Sequence, residues 1–193
     1  MKPIFIIEHL EPEIGAWSFI EYEHISDEVG KDNIWFTNVD NKDIKKISKL
    51  GKAIDKRIKD VGLDMKRVCV LDPDASEKLK PEDAEKFDYF VFGGILGDNP
   101  PRKRTGPELT KFMKGAGKRN IGKMQMSTDN AVYTVKQIIV EGKIFEDLKF
   151  KDEVEIKINK IESCILPYRY NVFNEKPYIS SKLVKYLKNK KDF

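Results

Sequence analysis

Cysteine and histidine are scarce: two of each occur in 193 residues. Cys69 and Cys164 sit in separate apolar runs and form no Cys-x-x-Cys pair. His9 and His24 share no metal-ligand spacing with either. A disulfide framework is therefore excluded and no metal site is expected; two reduced core cysteines in a cytoplasmic protein are expected instead. Long apolar runs are missing too. The opening Met1-Lys-Pro-Ile-Phe-Ile-Ile-Glu8 meets a charge too soon for a signal peptide, and no later run reaches the length of a membrane span. No membrane partner is expected. Charge of one sign is also in short supply. The net charge is only +4 although 35% of the residues are charged. A balanced surface of this kind is not a nucleic-acid footprint, which needs clustered cations.

What is present is a globular chain. The 40% hydrophobic content excludes disorder and can fill one α/β domain with a small appendage. Strands are expected at residues 4–7, 33–37, 67–71, 88–92 and 120–124, each a short apolar run closed by a polar or proline break. Helices are expected at 16–29, with Trp17, Ile20, Ile25 and Val29 as its apolar stripe and Gly30 as its stop, then at 81–86, 107–114 and 127–140. Residues 42–59 read as one or two Lys-rich surface helices broken at Gly51. Strands alternating with helices argue for an α/β fold with a largely parallel sheet flanked by helices. After Phe150 the pattern changes. Residues 153–158 alternate as a half-exposed strand, 162–170 could pair with it, and 181–190 reads as a terminal helix. Residues 1–150 are thus the main domain and 151–193 a small C-terminal β/α appendage packed on it.

Open parallel sheets bind ligands beyond the C-terminal ends of their strands. Those ends read Glu8-His9, Leu71-Asp72-Pro73, Gly93-Gly94-Ile95-Leu96-Gly97-Asp98 and Met124-Gln125-Met126, followed by Ser127-Thr128. The three glycines let backbone approach a ligand closely. They form neither Gly-x-Gly-x-x-Gly nor a Walker loop, so a nucleotide triphosphate site is disfavoured. The following loop carries Arg102, Lys103 and Arg104 among prolines, which limit its freedom. It reads as a substrate-contacting rim.

At Asp88-Tyr-Phe-Val-Phe-Gly-Gly-Ile-Leu-Gly-Asp-Asn-Pro-Pro-Arg102 the chain resembles the SPOUT-class protein arginine methyltransferases of the Sfm type, from yeast and archaea. Further matching segments follow in order: Ile7-Glu8-His9, Arg67-Val-Cys-Val-Leu-Asp-Pro73, Pro81-Glu-Asp-Ala-Glu-Lys-Phe-Asp88, Lys123-Met-Gln-Met-Ser-Thr-Asp129, Phe145-Glu-Asp-Leu-Lys-Phe150 and Pro167-Tyr-Arg-Tyr170. The resemblance implies a SPOUT-type trefoil knot, which no sequence pattern alone would justify. It implies S-adenosylmethionine as cofactor, held in the knot loops: Leu71, Asp72 and Pro73, Gly93 to Gly97, and Met124 to Thr128. Ile95, Leu96 and Met126 would bound the adenine; Asp72 or Asp98 would meet the amino group or ribose.

The acceptor implied is a protein arginine, on a small-subunit ribosomal protein in the yeast case. A guanidinium is always charged and its lone pair is delocalised, so a carboxylate is needed to orient it. Glu8 and Asp98 are the expected catalytic acids, with Glu11, Glu13 and Glu21 behind them. Arg102 and Arg104 are expected to contact substrate. Most SPOUT proteins methylate RNA, which would use Arg102, Lys103, Arg104, Lys118 and Arg119 on phosphates, so RNA stands as the alternative acceptor. A non-catalytic ribosome-associated binding module is the reading from a different class. A monomer is expected rather than a homodimer.

Overall fold

The structure is a computed structural model that describes residues 2–189. Its centre is a six-stranded sheet in which every pairing is parallel. The strands are β1 (Ile4–His9), β2 (Ile34–Thr37), β3 (Lys52–Ala53), β4 (Val68–Leu71), β5 (Tyr89–Gly94) and β6 (Gly117–Arg119). Their spatial order is β3-β2-β1-β5-β4-β6. Alternate residues of each strand face opposite sides, so the core divides in two. Phe5, Ile7, Phe36, Cys69, Leu71, Phe90 and Phe92 face the helices α1 (Ala16–Val29) and α5 (Thr128–Ile139). Ile6, Val68, Val70 and Val91 pack on the other side against Ile58, Leu109 and Met113. Burial on both faces explains why β1, β4 and β5 read as continuous apolar runs.

Helix α1 has the expected bounds, and Gly30 closes it with φ of 83°. Its apolar stripe is divided, however. Tyr22 and Ile25 join the main core, whereas Trp17 and Ile20 turn towards the C-terminal segment. Between β2 and β4 one α-helix forms, α2 (Asn41–Ile47), with 3₁₀ turns at Ile58–Asp60 and Met65–Arg67. The residues after Gly51 extend instead as edge strand β3, where Lys52 spreads over the Trp35 ring. Two single turns, α3 (Asp83–Lys86) and α4 (Thr105–Glu108), complete the main body, with a 3₁₀ turn at Thr110–Phe112 after the second.

The fifth expected strand is displaced. It runs over Gly117–Arg119 rather than 120–124, where only Asn120 makes an isolated bridge, to Lys78. Gly-Lys-Arg carries no apolar signal. It pairs with β4 because Gly117 leaves room for Phe87 and because Arg119 is buried with both guanidinium arms on Asp83, at 2.9 and 2.8 Å. From β6 the chain crosses back past the end of β5 to reach α5. This crossing is where the trefoil implied by the resemblance would close.

The C-terminal segment forms β8 (Val154–Lys157) with β9 (Ser163–Leu166), and β10 (Tyr170–Phe173) between β7 (Phe150–Lys151) and β11 (Lys176–Pro177). Helix α6 (Ser181–Asn189) follows; Lys190 of the expected helix lies outside the described residues. The β7–β10 ladder spans the expected boundary at residue 150, and Leu183 and Leu187 cluster with Trp17 and Ile20 of α1. Asn171 is laced to Asn130 of α5: its N–H donates to Asn130 Oδ1 at 2.9 Å and its amide to the Asn130 carbonyl at 3.1 Å. The appendage is therefore fixed against the same two helices that cover the sheet.

Candidate active site

Two adjoining cavities open at the C-terminal edge of the sheet. The larger has a volume of about 400 Å³. Three chain breaks wall it: residues 71–74 after β4, the end of β5 and its loop, and 121–126 after β6, with Thr128 and Ala131 of α5 behind. Its floor is apolar, from Leu71, Phe92, Ile121 and Met126. Ties hold the 95–104 loop over it. The Leu96 N–H donates to Glu11 Oε1 at 2.9 Å, the Gln125 amide to the Asp98 carbonyl at 3.0 Å, and the Tyr168 hydroxyl to the Gly97 carbonyl at 3.2 Å. Arg104 reaches Glu11 at 2.7 Å and grips Glu108 with two nitrogens.

The smaller cavity, about 200 Å³, lies behind the same loop. Trp17 and Glu21 of α1, Ser127 and Thr128 at the start of α5, and Tyr168 enclose it. It shares Ile95, Leu96, Gly97, Met126 and Thr128 with the larger cavity, so ligands in the two would meet across that wall. Tyr168 is placed by its neighbour Arg169, whose N–H donates to the Gln125 carbonyl at 2.8 Å beside the isolated bridge to Met126. Glu21 is 5% exposed, and its carboxylate accepts the Trp17 indole N–H at 2.7 Å. Burial, and then the charge of Asp129, hold its carboxyl well above the usual range, against Trp17 and the hydroxyl and N–H of Thr128, which favour the ionised form. A buried carboxylate with no cation paired to it among the described residues, walled by two aromatic rings, suits a planar cationic ligand.

Most of the residues expected around a cofactor line the larger cavity. Gly94 and Ser127 do not. Gly94 is the last residue of β5, and a side chain there would strike the Tyr22 hydroxyl, Ile7 and the Glu8 carbonyl. It is glycine for internal packing. Ser127 faces the smaller cavity. Asp72 lines the larger cavity, with its oxygens engaged by the Thr110 hydroxyl at 2.5 Å and the Asp74 N–H at 2.9 Å.

The expected catalytic acids need correction. Glu8 lines neither cavity. It is 1% exposed, and its carboxylate is held by the Thr37 hydroxyl at 2.5 Å, the Ile58 N–H at 2.9 Å and Arg57 at 2.9 Å, so it braces the sheet. Asp98 lines the larger cavity, but Arg102 binds it at 2.7 Å and holds its carboxyl below the usual range. Arg102 and Arg104, the expected substrate contacts, both line the larger cavity; Arg102 is paired with Asp98 and largely exposed, and Arg104 is tied to Glu108 and to Glu11. Glu13 is exposed. Sequence reasoning misses Trp17 and Tyr168. The i, i+4 spacing of Trp17 and Glu21 is the one available signal, and it also fits an ordinary packed helix face.

The SFM1-like family of protein arginine N-methyltransferases matches residues 4–192. The chain is 41% identical to protein arginine N-methyltransferase SFM1 of Saccharomyces cerevisiae, over 95% of this chain and 93% of that protein. The chain belongs to the SFM1-like protein arginine N-methyltransferases. The structure of the yeast arginine methyltransferase SFM1 complexed with S-adenosylmethionine superposes with a TM-score of 0.89 at 40% identity, covering 97% of this chain and 91% of that one. The dual-specific Trm10 from Thermococcus kodakaraensis, 17% identical with a TM-score of 0.57 over 75% of this chain and 96% of that one, shares the fold. Among the described residues no group of three or more His, Cys, Asp and Glu could hold a metal ion, and no helix is long and apolar enough to cross a membrane.

Proposed function

We propose that this protein transfers a methyl group from S-adenosylmethionine to an arginine side chain of another protein, a small-subunit ribosomal protein being the expected acceptor. The observation that carries this reading is Glu21, a buried acid with no cation paired to it among the described residues, in a cavity that shares a wall with a larger one of cofactor size. The larger cavity fits S-adenosylmethionine. Its apolar floor suits an adenine, the free backbone of its loops can read the ring edge, and Ile95, Leu96 and Met126 would hold it. The cofactor supplies a methyl group on a sulfonium sulfur.

The chain's own residues do the rest. Glu21 orients the guanidinium by paired hydrogen bonds and disfavours delocalisation of the attacking nitrogen's lone pair. Trp17 and Tyr168 fix the plane of the group, and the tied 95–104 loop keeps water out. Catalysis here is mostly positioning. Glu21 must be ionised to hold the cation, and its carboxyl is raised, so kcat/KM should climb with pH above the ordinary carboxylate range.

The ion pairs favour a protein acceptor over RNA. Of the five cations that RNA would use, Arg104 is held in a partly buried pair with Glu11 and Glu108 and Arg119 is buried on Asp83, while Arg102, Lys103 and Lys118 stay exposed. Two of the five are thus withdrawn from phosphate contact, which thins the clustered footprint that RNA needs. We propose a monomer, because α6 and the C-terminal cluster cover the Trp17 and Ile20 side of α1. A cytoplasmic location is part of the same reading, in keeping with two cysteines, Cys69 and Cys164, that form no disulfide among the described residues. The test is tritiated methyl transfer from S-adenosylmethionine into small ribosomal subunits, with protein and rRNA separated afterwards. Label in protein arginine is expected; label confined to rRNA would overturn the reading.

A further inference from the structure

Behind Glu21 lies a second buried acid. Asp129 sits in the first turn of α5, between Asn130 and Thr128, and Thr128 lines the smaller cavity together with Glu21. Every partner of its carboxylate is a donor: His24 Nδ1 at 2.7 Å, the Ser127 hydroxyl at 2.6 Å, the Asn130 N–H at 2.8 Å and the Asn130 amide at 3.3 Å. The start of a helix adds its dipole. This surrounding suits an anion, yet a second negative charge beside a buried acid costs stability. Such an arrangement needs a reason.

His24 lies about one turn beyond Glu21 on α1, with 18% of its side chain exposed. Its ring stacks on Tyr178 at 4.6 Å, and Tyr178 stacks on Tyr133 at 4.0 Å. The Tyr178 hydroxyl donates to Glu28 at 2.6 Å, and Glu28 also pairs with Lys136. The imidazole is thus held between Asp129 and the surface.

Methylation of a guanidinium releases a proton. The nitrogen–carbon bond forms, the carbon–sulfur bond breaks with its electron pair left on sulfur, and the nitrogen sheds one proton so that the product keeps a single positive charge. Glu21 is the acid positioned against the guanidinium. We propose that Asp129 and His24 are positioning residues for this step: Asp129 keeps a negative charge beside Glu21, so that Glu21 can take the proton the guanidinium sheds, and His24 holds Asp129 in place. This rests on the arginine reading above. The groups facing Glu21 are Trp17 from its own helix, Asp129 and Thr128 from α5, and Tyr168 and Tyr170 from the C-terminal segment; His24 and Tyr178 face Asp129 rather than Glu21. The upward displacement of the Glu21 carboxyl, with Asp129 second only to burial as its cause, agrees with this.

The test is to titrate the Glu21 carboxyl carbon by NMR in the ligand-free protein, in parallel with kcat/KM against pH for transfer into small-subunit ribosomal proteins. In Asp129→Asn the Glu21 midpoint should fall by about one pH unit or more, the acid limb of the profile should move the same way, and transfer should slow by about 10- to 100-fold. Asp129→Ser, which keeps a helix-capping oxygen without the charge, should do the same and serves if the first variant does not fold. His24→Leu should slow transfer and His24→Gln, which keeps a donor, should restore it. A Glu21 titration and profile unmoved by loss of the Asp129 charge would overturn the proposal, and full activity in His24→Leu would remove His24 from it. Glu21→Gln separates the two levels. If it methylates normally, the arginine reading fails; if it is inactive while the Asp129 variants behave as wild type, only the coupling fails.

Discussion

The larger cavity takes its walls from three loops that follow neighbouring strands, whereas the smaller takes its walls from side chains on α1, on α5 and in the C-terminal segment. The difference is one of material. Loops at strand ends present free backbone groups and need glycine and proline, which suits a cofactor held largely through main chain. The smaller cavity needs a carboxylate and two aromatic rings brought together from residues 17, 21 and 168. The two share only a thin wall around Gly97 and Met126. One region should therefore answer to cofactor binding and the other to the acceptor.

The largest effect should come from an acid that belongs to neither region. Glu8→Ala leaves Arg57 and the Ile58 N–H without their buried partner and should cost about 3–5 kcal/mol in denaturant unfolding. The folded fraction should still bind S-adenosylmethionine; weakened cofactor binding there would return Glu8 to the site. Next come the glycines. In Gly94→Val the added carbons would meet Ile7, Tyr22 and backbone, costing about 1–3 kcal/mol of stability with cofactor affinity retained. In Gly97→Val they would push Tyr168 and Gln125 from the shared wall, so both ligands should weaken while stability falls less. Equal behaviour of the two variants would erase the distinction between packing glycine and wall glycine.

Tyr168→Ala should raise the KM for the acceptor about tenfold while the cofactor Kd moves less than about twofold, as loss of one aromatic contact implies. The smallest effect is on stability. The Glu21 carboxyl is raised in the folded protein, so the wild type loses stability as pH climbs from the ordinary carboxylate range through the raised value. Glu21→Gln removes that loss. It should be more stable than wild type by about 0.5–2 kcal/mol in alkaline solution, and the gain should disappear in acid.

The same difference of material decides how much was legible in the sequence. The parallel sheet was readable because β1, β4 and β5 are buried on both faces and so carry unbroken apolar runs. The larger cavity was readable because two of its walls, after β4 and β5, announce themselves as breaks after such runs. β6 was not, because a glycine and a buried arginine replace its apolar residues. The smaller cavity was scarcely readable at all. Glu21 stands only among the weaker acids behind Glu8 and Asp98, and Tyr168 lies in the matching segment Pro167-Tyr-Arg-Tyr170 with no role of its own. Glu8 drew attention by ending a strand, but its hydrogen bonds to Thr37, Arg57 and Ile58 arise from contacts that only the fold brings together.

The division of labour between the cavities is tested most directly by Glu21→Gln. Calorimetry of S-adenosylmethionine binding should give a Kd within about twofold of wild type, while methyl transfer to the protein acceptor should fall by about 10²- to 10³-fold. Transfer at the wild-type rate, or loss of cofactor affinity in place of transfer, would contradict the assignment of the smaller cavity to arginine.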